Sequence, residues 1–304
     1  PSGTPGLKRH AAWLLVKHAV LWLGLLLCGY ALWRTRELAA EAFSRMHVSG
    51  WAWVTLLLLL GWGLAVTSWR LYLQAYTGRL PGWGTAVRQL GLLLVGKYVP
   101  GGVFGFLARM YDQANAPRRQ LFWAGLSEQT VGVAMPLAVG SALYLAASRH
   151  NVAWLALILP LPLLAIAGIW LLHRLAGHLP WVRRHALTSL PPWRRLLPAT
   201  SIQVTQLLAW AALVAMLSRQ LHGLDGLANL GVAGAFLLAV AAGMIVVVVP
   251  GGIGVREAAL VGLSSHWLGI PQAIFLTAFL RLLSSLLDVF AGLLATATGT
   301  REGK

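Results

Sequence analysis

The chain has 304 residues, of which 58% are hydrophobic and only 11% charged, with a mean hydropathy of +0.71. That composition excludes an ordinary soluble domain and makes a bilayer the natural solvent. The formal net charge of +16 would suggest a nucleic-acid partner in a soluble protein, but the basic residues cluster between apolar runs, where membrane orientation and anionic headgroups account for them, so no nucleic acid is expected.

Taken in chain order, residues 1–11 read as a disordered terminus or an expression remnant. Runs of about 20 apolar residues, the length that crosses roughly 30 Å of hydrocarbon, then recur along the chain. Helices are expected near 12–33 and 51–69, a hairpin near 86–108, and a helix near 120–147. The second half repeats the order, with helices near 152–173 and 198–218, a hairpin near 229–266, and a helix near 271–297. The polar connection from His173 to Pro198 contains Pro180, Pro191 and Pro192 and reads as a loop with an interfacial helix. No alternating strand pattern is present, and backbone in lipid must satisfy its own hydrogen bonds. The expected fold is therefore all-α: one polytopic transmembrane domain over 1–304, with about six spanning helices and two re-entrant hairpins, arranged as inverted repeats over 12–147 and 152–297. The stretch Leu227–Val249 is long enough to cross completely, which would turn the second hairpin into an ordinary loop.

Charge sets the orientation. With both termini cytoplasmic, the inner side carries Lys8, Arg9, Arg70, Arg79, Arg88, Arg109, Arg118, Arg119, Arg174, Arg183, Arg184, Arg194, Arg195, Arg301 and Lys304. The outer side has only Arg34, Arg36, Arg45, Arg149 and Arg219, sharing their loops with Glu37, Glu41 and Asp225. Basic residues concentrate on the cytoplasmic side of multi-pass proteins, so a cytoplasmic N- and C-terminus in a bacterial inner membrane is expected.

Two segments interrupt the apolar pattern: Val99-Pro100-Gly101-Gly102 and Val249-Pro250-Gly251-Gly252, 150 residues apart. Paired Gly/Pro breaks in corresponding positions are the trace of an inverted repeat whose broken helices meet near the bilayer midplane. Lys17, Lys97, Arg256 and Arg281 fall within apolar sequence, and Lys17 near a helix end is read as snorkelling to the interface. Glu128, Glu257 and Asp288 also lie in or beside apolar segments, with Asp112 just after the first hairpin. An ionisable group in the bilayer costs roughly 2.5 to 3.5 kcal/mol on insertion scales. The carboxylates therefore either neutralise buried cations in structural pairs or share with them a polar cavity for a charged headgroup.

Phosphate suits such a cavity. Gly101, Gly102, Gly251, Gly252 and Gly254 have no Cβ to keep an oxygen from the backbone, and a chain re-entering a helix there presents unpaired N–H groups. Lys97, Arg256 and Arg281 add full charges, and Glu128, Glu257 and Asp288 balance those charges or bind a coupling proton. No cofactor is expected. The nine histidines show no two-histidine spacing on one helix, and the lone Cys28 can form neither an internal disulfide nor a multi-cysteine site, so no metal is expected. The glycines of the second break lack a phosphate-loop Lys-Ser/Thr ending, so nucleotide is not expected either.

The run Gly96-Lys97-Tyr98-Val99-Pro100-Gly101-Gly102 followed by Arg109, and the run from Val249 through Pro250, Gly254, Arg256 and Glu257 to Leu260, resemble the lysylphosphatidylglycerol synthase transmembrane, or flippase-domain, family of prokaryotic membrane proteins. Agreement is weaker at Glu128 and Arg281, and Glu128-Gln129 stands where the family often has Glu-Arg. The resemblance implies lipid translocation without aminoacyl transfer, and together with the charge and glycine pattern gives expected substrate contacts at Lys97, Tyr98, Pro100, Gly101, Gly102, Arg109, Pro250, Gly251, Gly252, Gly254, Arg256 and Arg281. The expected cargo is an anionic or zwitterionic phospholipid or a polyprenyl-linked lipid. A lipid-synthesising enzyme and a second copy of the chain are the candidate protein partners. The competing readings are a membrane-embedded enzyme acting on a lipid-linked phosphate, and a noncatalytic scaffold for such an enzyme.

Overall fold

A computed structural model of the chain describes residues 29–30, 33–34, 36–98, 104–112, 116–176, 178, 191–246 and 250–299. The expected helix near 12–33 therefore lies mostly outside the described residues, as do Lys17, Cys28, Pro100, Gly101 and Gly102. Ten α-helices follow in the described residues: α1 Arg36–Arg45, α2 Val48–Thr77, α3 Trp83–Gly96, α4 Phe104–Tyr111, α5 Arg118–Ser148, α6 Leu161–Ala176, α7 Trp193–His222, α8 Leu227–Ile245, α9 Val255–Leu268 and α10 Ile270–Gly299. Short 3-10 turns occupy Val152–Ile158 and Pro250–Gly252. No strand occurs among the described residues.

Five of these helices, α2, α5, α7, α8 and α10, are long and apolar enough to cross a bilayer. A sixth crossing is available if the Val152–Ile158 turn and α6, bent by 45° at their junction, count as one span. Pro160 and Pro162 at that bend cannot supply backbone N–H groups, which is why the expected helix near 152–173 is broken. The chain is an all-α, multi-pass membrane protein. Helix α1 is an addition to the expected pattern: Glu41 and Arg45 pair across one of its turns, in a segment whose charges read as a loop.

Helix lengths exceed the sequence expectations at both ends. The 30 residues of α2 span roughly 45 Å at 1.5 Å per residue, more than the hydrocarbon thickness, so its ends emerge into the headgroup region. Gly78 stops α2 at φ 74° and Gly223 stops α7 at φ 68°, left-handed positions that glycine takes without a Cβ penalty.

The packing is reciprocal between the halves. The hairpin α3–α4 lies against α10, the last helix of the second half, and the hairpin α8–α9 is joined to α5, the last helix of the first, through α8. Helices α2 and α7, at corresponding positions, pack on one another. Small residues permit these crossings: a Cβ on Gly91 of α3 would sit 2.5 Å from the Ala295 Cβ of α10. Likewise a Cβ on Gly234 of α8 would come within 2.8 Å of the Gly140 carbonyl on α5. Close backbone approach is how apolar helices gain contact in lipid, where no hydrophobic drive favours association.

Helix α8 runs 19 residues to Ile245, about 28 Å, and α9 folds back against it. The stretch is therefore long enough to cross and yet belongs to a hairpin.

Alanine at Gly91 should lower the melting temperature of the detergent-solubilised protein, since the added methyl overpacks the α3–α10 crossing at a cost of roughly 1–3 kcal/mol. Alanine at Gly168 in α6, which would meet nothing within 4 Å, should leave it equal or raise it, as Gly-to-Ala changes in open helical positions do. Fluorescence-detected thermal unfolding reads both.

Candidate headgroup site

The second break is built from glycine conformations. Gly251, Gly252 and Gly254 have φ of 60°, 65° and 87°, in the region that L side chains rarely enter. At Gly252 the space is closed as well, because a Cβ would fall 2.8 Å from the Gly243 Cα on α8. This turn delivers the chain into α9 with Arg256 and Glu257 in its first turn.

The two residues leading into the first break, Lys97 and Tyr98, meet the second break here. A Cβ on Gly251 would lie 3.8 Å from the Lys97 carbonyl, 3.9 Å from the Tyr98 ring and 3.6 Å from the Arg281 guanidinium. Helix α10 supplies the third side. Lys97 Nζ donates to both oxygens of Asp288, at 2.9 Å to Oδ1 and 2.7 Å to Oδ2, and the Tyr98 hydroxyl donates to Oδ2 at 2.6 Å. Arg281 Nη1 approaches Glu257 Oε1 at 3.6 Å and the Gly251 carbonyl at 3.5 Å, with its guanidinium 5.8 Å from the Tyr98 ring centre. At 1.5 Å per residue, Arg281 stands roughly 16 Å from the start of α10 and Asp288 roughly 16 Å from its end, so the cluster occupies the middle of the bundle.

Arg256 differs from its neighbours. Its guanidinium lies 5.0 Å from the Phe236 ring centre, a cation–π contact, and it makes no hydrogen bond or ion pair among the described residues. Lys97 and Arg281 both flank Gly251, and Arg256 follows it in the first turn of α9. Against these three cations stand Asp288 and Glu257, leaving one positive charge in excess.

One expected feature is altered. The Gly254 N–H, expected to be open to a phosphate at the start of α9, instead donates to Glu257 Oε2 at 2.6 Å. Glu257 thus serves both its own helix end and Arg281, and the anion-binding capacity of this break rests on side chains more than on that amide.

Arg109 and Glu128 do not belong to this cluster. Arg109 of α4 is 2% exposed. It pairs with Glu128 of α5 through Nη1, donates from Nε to the Gln89 carbonyl at 2.8 Å and stacks 4.0 Å from the Trp69 ring centre. Gln89 lies eight positions before Lys97 on α3, roughly 12 Å along the helix. Around the pair, Trp69 donates to Gln89 Oε1 at 2.9 Å, Tyr72 to Gln203 Oε1 at 2.8 Å, and Gln203 Nε2 to the Glu128 carbonyl at 3.1 Å. Arg88 and Asp112 add a second ion pair at 3.1 Å across the first hairpin. Gln89 and Gln203, amides inside apolar helices, carried a sequence signal for this network, whereas Trp69 in an apolar run carried none.

Every intramembrane carboxylate singled out from the sequence therefore has a cation: Glu128 with Arg109, Glu257 with Arg281, Asp288 with Lys97. No family model, no curated protein and no solved structure matches the chain.

Replacing Glu128 with alanine should strip a buried guanidinium of its partner and cost roughly 3–5 kcal/mol. The expected result is loss of a monodisperse peak on size exclusion. Arg109→Met combined with Glu128→Leu should recover much of it, because the expense of a broken buried pair lies in the charge left behind.

Proposed function

We propose that this protein is a lipid transporter that carries an anionic or zwitterionic lipid headgroup across the bilayer through a polar site between its two halves, while the acyl or prenyl tails stay in hydrocarbon. The observation that carries the reading is the Arg256 guanidinium, unpaired among the described residues and set beside Lys97 and Arg281 in the middle of a membrane bundle. An unmatched cation at that depth costs several kcal/mol on its own. A phosphate offers it charge-assisted hydrogen bonds, and a guanidinium presents two parallel donors to two phosphate oxygens.

The remaining chemistry supports transport without a covalent step. Nothing is required of the lipid except that its phosphate leave water, meet fixed donors and depart, and the single excess positive charge matches one phosphodiester. The reciprocal packing of hairpins on the opposite half's last helix, α3–α4 on α10 and α8–α9 on α5, suits a two-fold-related pair of repeats that rock about a central site. The resemblance of both VPGG runs to the flippase-domain family favours the same reading, and the distribution of basic residues supports cytoplasmic termini in a bacterial inner membrane.

In liposomes, the purified chain should speed the transbilayer movement of fluorescent phosphatidylglycerol, with recovered lipid unchanged by mass spectrometry. Arg256→Ala and Glu257→Gln, at matched insertion and melting temperature, should slow it by at least about tenfold, the worth of one charge-assisted contact. A wild type that moves none of a varied lipid panel, with or without a proton gradient, would overturn the proposal, and recovery of a chemically altered lipid would replace it with an embedded enzyme.

A further inference from the structure

Asp288 is the most enclosed carboxylate of the central cluster, 4% exposed, and it sits in the middle of a spanning helix, where a charge is costly. Its surroundings have a specific form. An ammonium and a phenolic hydroxyl, Lys97 Nζ and Tyr98 OH, converge on the two oxygens of one planar anion at 2.6 to 2.9 Å. Two donors gripping one edge of a two-oxygen anion is also how proteins hold the edge of a phosphate. The exposure is unequal: the Lys97 side chain is 34% exposed and that of Asp288 is 6%. The carboxylate therefore occupies the more closed end of the contact. Arg281 flanks the Tyr98 ring at 5.8 Å, and Arg256 completes the basic set with no ion pair among the described residues.

We propose that the Asp288 carboxylate is a built-in occupant of the phosphate position. In the empty protein it satisfies Lys97 and Tyr98. An entering phosphodiester, which the lipid-transport reading above supplies, takes those two donors together with Arg256 and displaces Asp288 from them. Lys97 and Tyr98 belong to the first break and Asp288 to the last helix of the opposite half, so this contact also ties the two halves. Phosphate arrival and release of that tie are then one event, and a lipid without phosphate has no means of triggering it. A ligand can shift a conformational balance only through contacts that differ between the two states, and this exchange provides such a difference.

The test uses the full chain in nanodiscs and measures the binding of dihexanoyl-phosphatidylglycerol, inorganic phosphate and dihexanoylglycerol. Asp288→Asn keeps the shape and removes the charge, and should tighten binding of the phosphate-bearing lipid by about tenfold while slowing its transbilayer movement. Asp288→Ser should act in the same direction, and Asp288→Glu, which keeps the charge, should bind as the wild type does. Equal gains for inorganic phosphate would identify the phosphate group alone as the displacing ligand; a gain confined to the lipid would assign the site to the headgroup. Unchanged or weaker lipid binding in the Asn and Ser variants would overturn the displacement while leaving the transport reading intact wherever the wild type binds. Absence of binding by the wild type and every folded variant would overturn both. A second measurement needs no variant: carbodiimide should couple Lys97 to Asp288 in the wild type, and saturating dihexanoyl-phosphatidylglycerol should suppress that link. Coupling that persists with the lipid bound would also overturn the displacement.

Discussion

Hydrocarbon offers no hydrogen bonds to a broken helix, so a chain that interrupts its helices inside a bilayer must cover each interruption with protein. In this molecule α10 reaches residues beside both interruptions. It passes Gly91 of α3 closely, receives Lys97 and Tyr98 at Asp288, and extends Arg281 to the Gly251 carbonyl of the second break. Lys97 and Tyr98, which lead into the first interruption, are thereby held beside the second. That meeting concentrates charge where charge is most expensive, and the functional reading rests on that concentration.

The two groups of buried charges differ in the way that structure and function usually differ. Arg109 and Glu128 are enclosed by Trp69, Gln89, Gln203 and Tyr72, with donors and acceptors drawn from α2, α3, α4, α5 and α7. Such a pair fixes how the first hairpin sits against the rest of the bundle, and dismantling one side of it costs more than the whole pair contributes. The central group is less complete. Arg256 makes no ion pair among the described residues, Arg281 holds Glu257 only at 3.6 Å, and the Lys97 side chain is less enclosed than its partner. Partly satisfied charge is poor architecture and good ligand chemistry.

Movement also has a physical basis in the packing. The crossings of α3 with α10 and of α5 with α8 rest on glycine and alanine, which interlock little, while Lys97 and Tyr98 meet α10, and Arg281 meets the second break, through ion pairs and hydrogen bonds. Packed helices move as bodies, and polar ties between them can be exchanged for ligand contacts.

Sequence alone determined the membrane class, the positions of most long helices, the location of the second break and the identity of the residues at the centre, because hydropathy, glycine and proline act locally and a charge in an apolar run is conspicuous wherever it folds. It placed the segment near 152–173 as one helix, where Pro160 and Pro162 produce a 45° bend, and it read Arg36–Arg45 as a loop where α1 forms. Only tertiary structure decided which charge answers which. Arg109 and Lys97 stand 12 positions apart in sequence and looked equivalent, yet one is closed off by Glu128 and Trp69 while the other reaches Asp288, 191 positions away. Pairing depends on distance and burial across the fold, and neither quantity is written in the spacing of residues along the chain.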